Sequence, residues 1–184
     1  FSMPAVGHLF SQFYSNLGFE LTTAQKRAIK EIHNDLKLTK PMNRLLQGDV
    51  GSGKTIVAVM AAIIAHVNAC QTCIMVPTEI LAQQHYNSIS ALLNPLHIQT
   101  HLLTGSTPSK VRQQLFKELS EGKIHVLVGT HALIEDGIAF LKLGLVIIDE
   151  QHRFGVAQRA KLAERSGTFM PHVLVMTATP IPRT

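Results

Sequence analysis

Cysteine is scarce in this chain: 184 residues carry only Cys70 and Cys73. Two thiols cannot build the disulfide framework of a small secreted domain, and as reduced thiols they fit a cytosolic location. Long apolar runs are missing as well. The longest covers residues 56–67 and stops at Asn68, short of the roughly 20 residues that span a bilayer. The start shows no basic region, apolar core and cleavage pattern, which argues against secretion. Charge is modest, with 16% Asp, Glu, Lys and Arg against 46% hydrophobic residues. That balance describes a folded domain and excludes a disordered one. The length suits one domain that buries about 70% of its unfolded surface. Phe1 is no initiator Met, and Pro182-Arg183-Thr184 carries no helix-ending signal, so the chain reads as a piece of something longer. Net charge is +5 with ten histidines in reserve. Such a bias is compatible with a polyanionic partner, although many basic proteins touch none.

Against that plain background, residues 48–55 read Gly-Asp-Val-Gly-Ser-Gly-Lys-Thr, a full match to the phosphate-binding pattern G-x-x-x-x-G-K-[ST]. Leu45 and Leu46 lead into it, and a helix-compatible run follows. Gly48, Gly51 and Gly53 free the backbone, so that the N–H groups of the loop, including Asp49, Val50 and Ser52, can close around phosphate oxygens. The helix after them turns its positive end toward the same anion. Lys54 is placed to reach the β/γ-phosphates, and Thr55 to ligate Mg²⁺. The motif predicts a nucleoside triphosphate site.

Apolar runs at 42–47, 73–76, 98–103, 124–128, 145–148 and 172–176 predict strands. They are short and nearly continuous, the pattern of a parallel sheet covered by helices on both faces. Between them, helical spacing recurs. Thr22 or Thr23 caps a helix carrying Ala28, Ile29, Ile32 and Leu36, and Thr78 caps a helix over 79–93. Thr107-Pro108 starts another with proline in its first position. Residues 1–20, with Phe10, Phe13, Tyr14, Leu17 and Phe19 on one helix face, read as a linker or the tail of a preceding element. The domain proper then runs from 21 to 184. Cys70-x-x-Cys73 has the spacing of half a zinc site or a redox pair. With no second such pair aligned, it reads as a turn with two ordinary thiols.

Each motif falls at the carboxyl end of a strand, where open α/β sheets bind ligands. The run 145–148 delivers Asp149 and Glu150. Asp149 can hold Mg²⁺, and Glu150 can orient an attacking water. Thr177-Ala178-Thr179-Pro180 suits a loop between a strand and a moving part. Taken alone, Gln25 reads as an exposed helical glutamine, and His85, His101, His125 and His131 as surface or satisfied histidines.

The set of Gln25, residues 48–55, Pro77-Thr78-Glu79, Thr104-Gly105, Gly129-Thr130-His131, Asp149-Glu150-Gln151-His152 and Thr177-Ala178-Thr179 resembles superfamily 2 helicases, whose motifs occur in this order. Three longer strings, 48–55, 147–156 and 176–184, narrow the resemblance to the RecG-type DNA helicases. Mfd-type translocases are similar but depart at Ser52 and Gln151, and RNA helicases usually carry Asp where His152 stands. The resemblance covers residues 19–184. It implies the first of two RecA-like domains, an α/β three-layer P-loop fold with a mainly parallel sheet. It implies ATP and Mg²⁺ as cofactors, with Gln25 on adenine. It further implies coupling through Gln151, His152, Thr177 and Thr179, and DNA-backbone contacts from Pro77, Thr78, Glu79, Thr104, Gly105, Gly129 and Thr130. The implied partners are forked and branched DNA, with a second RecA-like domain and a wedge-type domain on the same chain, in a cytoplasmic monomer. Without the second domain's arginine finger, worth roughly 10³–10⁵ in rate in related enzymes, these 184 residues alone are expected to be nearly inactive. A P-loop switch or kinase without nucleic acid is the competing reading from another class, and it leaves the strand-end Thr-Gly pairs unexplained.

Overall fold

The computed structural model describes residues 2–5, 7–48, 53–135, 137–149, 161 and 170–177. The helices are α1 (Gly7–Asn16), α2 (Thr23–Leu36), α3 (Lys54–Val67), α4 (Glu79–Leu93) and α5 (Ser109–Ser120). The strands are β1 (Asn43–Gln47), β2 (Gln71–Met75), β3 (Thr100–Leu103), β4 (Val126–Gly129), β5 (Leu143–Asp149) and β6 (His172–Thr177). They form one sheet in the order β1-β6-β5-β2-β4-β3, every neighbouring pair parallel. All strand carboxyl ends therefore share one edge.

Alternate residues of the central strands feed two cores. Ile74, Val126, Val128, Leu145, Ile147 and Leu174 pack beneath α1, α2, α3 and α4. Cys73, Met75, Leu127, Val146, Ile148 and Val175 pack on the other face, with Leu115 and Leu119 of α5. This is the three-layer, mainly parallel RecA-like arrangement. The inner strands β2 and β4 are buried at every residue, whereas β1 alternates between exposed and half-buried positions, as an edge strand does. Nine consecutive residues of α3, Val57 to Ala65, are buried. A helix apolar all round must be enclosed on every side, and alanines at 58, 61, 62 and 65 let its neighbours approach closely.

Two deep contacts tie distant segments. The buried Gln71 side chain donates to the Leu119 and Ile124 carbonyls at 2.9 and 2.8 Å and accepts from Lys142 N–H at 2.9 Å. Met3 is fully buried, and its N–H donates to the Leu36 carbonyl at 2.6 Å. In α1, Phe13 is buried and Phe10 packs partly against the same core, as does Leu17 just beyond the helix. Tyr14 and Phe19 stay exposed.

Strand bounds move by up to two residues from the pattern. Residues 98 and 99 drop out because the Gln99 carbonyl takes both His125 and Val126 N–H groups and its own N–H goes to His125 Nδ1, which breaks the ladder. Pro108 is the N-cap of α5 and not its first helical residue. Its ψ of 147° is extended while its carbonyl already accepts from Arg112 N–H. Thr22 and Thr78 cap α2 and α4 through their hydroxyls.

Candidate nucleotide and nucleic-acid site

The edge strand β1 delivers Gln47 and Gly48 to the shared edge, where Gly48 N–H donates to the Thr177 carbonyl at 3.1 Å. Gly53, at φ 82° and ψ 25°, is the N-cap of α3, and as a glycine it offers that helix no side-chain cap. The first-turn N–H groups of α3 thus receive no acceptor from the cap position, the condition under which a helix start receives an anion. Only glycine adopts this left-handed conformation without strain. A Cβ here would also strike the Gln25 amide. Lys54 opens α3, and its ammonium donates to the Gly48 carbonyl at 2.6 Å. Thr55 follows in the first turn, half-buried.

Gln25 is not the exposed glutamine its local sequence suggests; only 9% of it is accessible. It closes a capping box. Its N–H donates to Thr22 Oγ1 at 3.1 Å, and its Oε1 accepts from Thr22 N–H at 2.8 Å. Its Nε2 reaches the Gly53 carbonyl at 3.4 Å. Gln25 thereby joins Ala28, Leu46, Gly48, Gly53 and Lys54 around a cleft of about 290 Å³. A helix start with glycine at its cap, where no side chain is tolerated, and an ammonium resting on a carbonyl fit the phosphate end of a nucleotide. The remaining loop residues Asp49, Val50, Gly51 and Ser52 lie outside the described residues.

Asp149 ends β5. Gln47 registers with Thr177 on β6, and Met176 with Asp149 on β5. Asp149 is therefore two strands from the P-loop strand, about 10 Å at roughly 4.8 Å per strand. It is half-buried, with His85 Nε2 of α4 at 3.9 Å. Burial pushes the His85 pKa down, and the Asp149 charge works against that. Taken by itself, His85 had no signal pointing to Asp149; α4 packs over β3 and β4, and the His85 side chain reaches from it toward the end of β5. Thr177 is buried and holds Gly48 through its carbonyl. Glu150, Gln151, His152 and Thr179 lie outside the described residues.

The candidate DNA-contacting residues cluster at the neighbouring strand ends, after β2, β3 and β4. Thr78, Glu79 and Gly105 are exposed, and Pro77 is half-buried. Thr104 and Thr130 are buried, each about 6–7% accessible. The Thr104 hydroxyl accepts from Ser106 N–H at 3.2 Å, so its visible work is bracing its own turn. Gly129 leaves room for its neighbour strand, since a Cβ would collide with the Leu103 carbonyl. Arg112 of α5, which no motif marks, donates to the Thr104 carbonyl at 3.0 Å and is ion-paired with Glu135. Glu79 accepts hydrogen bonds from Ser106.

Cys70 and Cys73 are buried free thiols that pack into opposite cores of the sheet, which separates them as a redox pair. Burial raises both, Cys70 to about 11, so neither is a ready thiolate. The His66 and His125 rings meet at a tilt of 58° with centroids 4.3 Å apart, and burial lowers both pKa values. Among the described residues, no group of three His, Cys, Asp or Glu could hold a metal ion, and no helix is long and apolar enough to cross a membrane.

Known proteins share this arrangement. The model of the DEAD/DEAH box helicase family matches residues 22–184. The ATP-dependent DNA helicase RecG of Aquifex aeolicus is 57% identical over 168 residues, covering 91% of this chain and 21% of the relative. RecG of Bacillus subtilis is 52% identical over 173 residues, covering 94% and 25%. The chain thus spans about a quarter of the length of these relatives. A solved structure of RecG bound to a three-way DNA junction superposes with a TM-score of 0.87 at 46% identity, covering 98% of this chain and 24% of that one. The yeast DEAD-box splicing factor Prp28 shares the fold alone, with a TM-score of 0.67 at 19% identity over 91% of this chain and 43% of its own. Matched from its first capped helix to its last residue, the chain belongs to the DEAD/DEAH box helicase family.

Proposed function

We propose that this chain is the ATP-binding motor domain of a RecG-type, ATP-dependent DNA helicase. In this reading it couples ATP hydrolysis to translocation on duplex DNA and to remodelling of stalled forks and branched junctions. The observation that carries it is that one sheet edge presents both the Gly53–Lys54 cleft with Asp149 and the exposed turns at Thr78–Glu79 and Gly105. Bound ATP with Mg²⁺ supplies the free energy of γ-phosphoryl hydrolysis. Gln25 would hold the base, Lys54 and the N–H groups of residues 48–53 the phosphates, and Thr55 and Asp149 the metal. Glu150 would orient the attacking water. Gln151, His152, Thr177 and Thr179 would pass the state of the nucleotide to the DNA side. Pro77, Thr78, Glu79, Thr104, Gly105, Gly129 and Thr130 would form the DNA-facing turns, holding the backbone without reading its sequence.

The same reading assigns residues 21–184 to the motor domain and 1–20 to the linker before it. A second RecA-like domain and a wedge-type domain complete the machine, as a cytoplasmic monomer. Lys54→Ala in the full-length protein tests it. DNA-stimulated phosphate release should fall to background, because the only described ammonium in the cleft is gone. Junction binding in a gel shift without nucleotide should persist. Wild-type turnover in the variant would remove Lys54 from the site and the reading with it.

A further inference from the structure

The turn after β3, Thr104-Gly105-Ser106, is gripped from two sides. On one side the Arg112 guanidinium donates to the Thr104 carbonyl at 3.0 Å and reaches the Gly105 carbonyl at 3.5 Å. An ion pair with Glu135 holds that guanidinium in place. In a trans peptide the N–H points opposite the C=O. Carbonyls drawn onto Arg112 therefore turn the Gly105 and Ser106 N–H groups outward. On the other side the Glu79 carboxylate takes what faces out. Its Oε1 accepts from Ser106 N–H at 3.0 Å, a donor shared with the Thr104 hydroxyl at 3.2 Å, and its Oε2 accepts from the Ser106 hydroxyl at 2.7 Å. Both residues are exposed.

One backbone N–H beside one serine hydroxyl is the donor pair that proteins commonly turn to a nucleic-acid phosphate. Here an internal anion sits on it. A phosphate and a carboxylate cannot share these donors, and beside each other they repel. We propose that Glu79 is a built-in competitor for a DNA phosphate at Ser106, and that Arg112 aims the donors for which the two anions compete. DNA binding at this turn then requires Glu79 to let go. The inference rests on the reading that this edge binds DNA. It changes the part expected of Glu79, from a contact that holds the backbone to one that the backbone must displace.

Glu79→Gln separates the two roles. The amide keeps an oxygen for Ser106 N–H and a nitrogen for its hydroxyl, so the turn keeps its brace while the negative charge disappears. Fluorescence anisotropy of the full-length protein on a labelled branched oligonucleotide, without nucleotide and at fixed salt, reads the effect. Kd should drop about fivefold, the size of one like-charge repulsion in water at roughly 4 Å. Ser106→Ala, which removes one donor from an exposed position, should raise Kd several-fold. If Glu79→Gln binds no tighter than wild type, Glu79 is only a brace and the inference is wrong. If Ser106→Ala binds as wild type does, no phosphate meets this turn and the inference is equally wrong. Wild-type protein that ignores branched DNA would sink the DNA reading itself, a failure visible before either variant is compared.

Discussion

Replacing Gly53 by alanine should damage the chain in two separable ways. The first is backbone strain. At φ 82° and ψ 25° the residue is left-handed, and an alanine held there costs about 1–2 kcal/mol. The second is a collision. The new methyl would fall on the Gln25 amide nitrogen and come to 3.2 Å from its Cδ. Gln25 can swing away, because the clash is with the end of a flexible side chain. Doing so breaks its 2.8 Å acceptor contact with Thr22 N–H, half of the capping box that starts α2. Losing that bond adds about 1 kcal/mol. The total, about 2–3 kcal/mol, corresponds to roughly 5–10 °C in melting temperature for a domain of this size.

The two terms are distinguished by a double-mutant cycle with Gln25→Ala. In that background the collision is already gone, and Gly53→Ala should cost only the strain. A coupling of about 1 kcal/mol is therefore expected between sites 28 residues apart in sequence. Thermal or urea unfolding of the four proteins measures it. A fluorescent-nucleotide titration of the same set should show Gly53→Ala binding more weakly than Gln25→Ala, because it disturbs the helix start as well as the amide. Strictly additive stabilities would mean that Gln25 and Gly53 do not touch in solution, and the cleft described above would lose one wall.

Two further outcomes are expected. Glu150→Gln should bind ATP and stall before hydrolysis while Asp149→Asn loses Mg²⁺-dependent binding; equal loss of nucleotide affinity in both would erase the division of roles, as equilibrium binding with and without Mg²⁺ can show. Burial lowers the pKa of His33, His66, His85 and His125 below the ordinary 6.5, so the unfolded chain takes protons first and stability should fall as pH drops from about 6.5 toward those lowered values. Melting temperatures from pH 7.5 to 5 measure the slope, which His66→Gln should flatten; a flat wild-type profile would contradict the burial of these rings.

How much of this was legible in the sequence differs from element to element. The sheet was legible because its strands are enclosed on both faces. Residues 145–148 are four apolar residues in a row, and all four are buried. Gly53 was legible because glycine spacing records a local backbone demand, and that residue takes the left-handed conformation the motif asks for. Gln25 was only half legible. Thr22 and Gln25 stand three apart, the spacing of a capping box, and that pattern places the helix start. It does not reveal that α2 docks on α3 so that the same amide meets Gly53. Arg112 and His85 left no trace at all, since each acts on a residue brought near by the packing of a different element. Pro108 misled by one position because proline serves a helix start equally well as cap or as first residue. Thr104 and Thr130 show the limit of motif reading from the other direction: their positions just after the edge strand β3 and the inner strand β4 were marked, but their burial was not.

Helix α4 is where the two halves of the edge meet. Near its middle, His85 faces Asp149 at 3.9 Å, on the side of the nucleotide cleft. At its first residue, Glu79 holds Ser106, on the side of the turns proposed to face DNA. The two positions are six residues apart, about 9 Å along a helix. Between them the backbone hydrogen bonds of one helix leave little freedom to stretch, so a shift of α4 along its axis moves both contacts together. Ala82 and Ile89 bury one face of α4 in the core and fix where the helix lies.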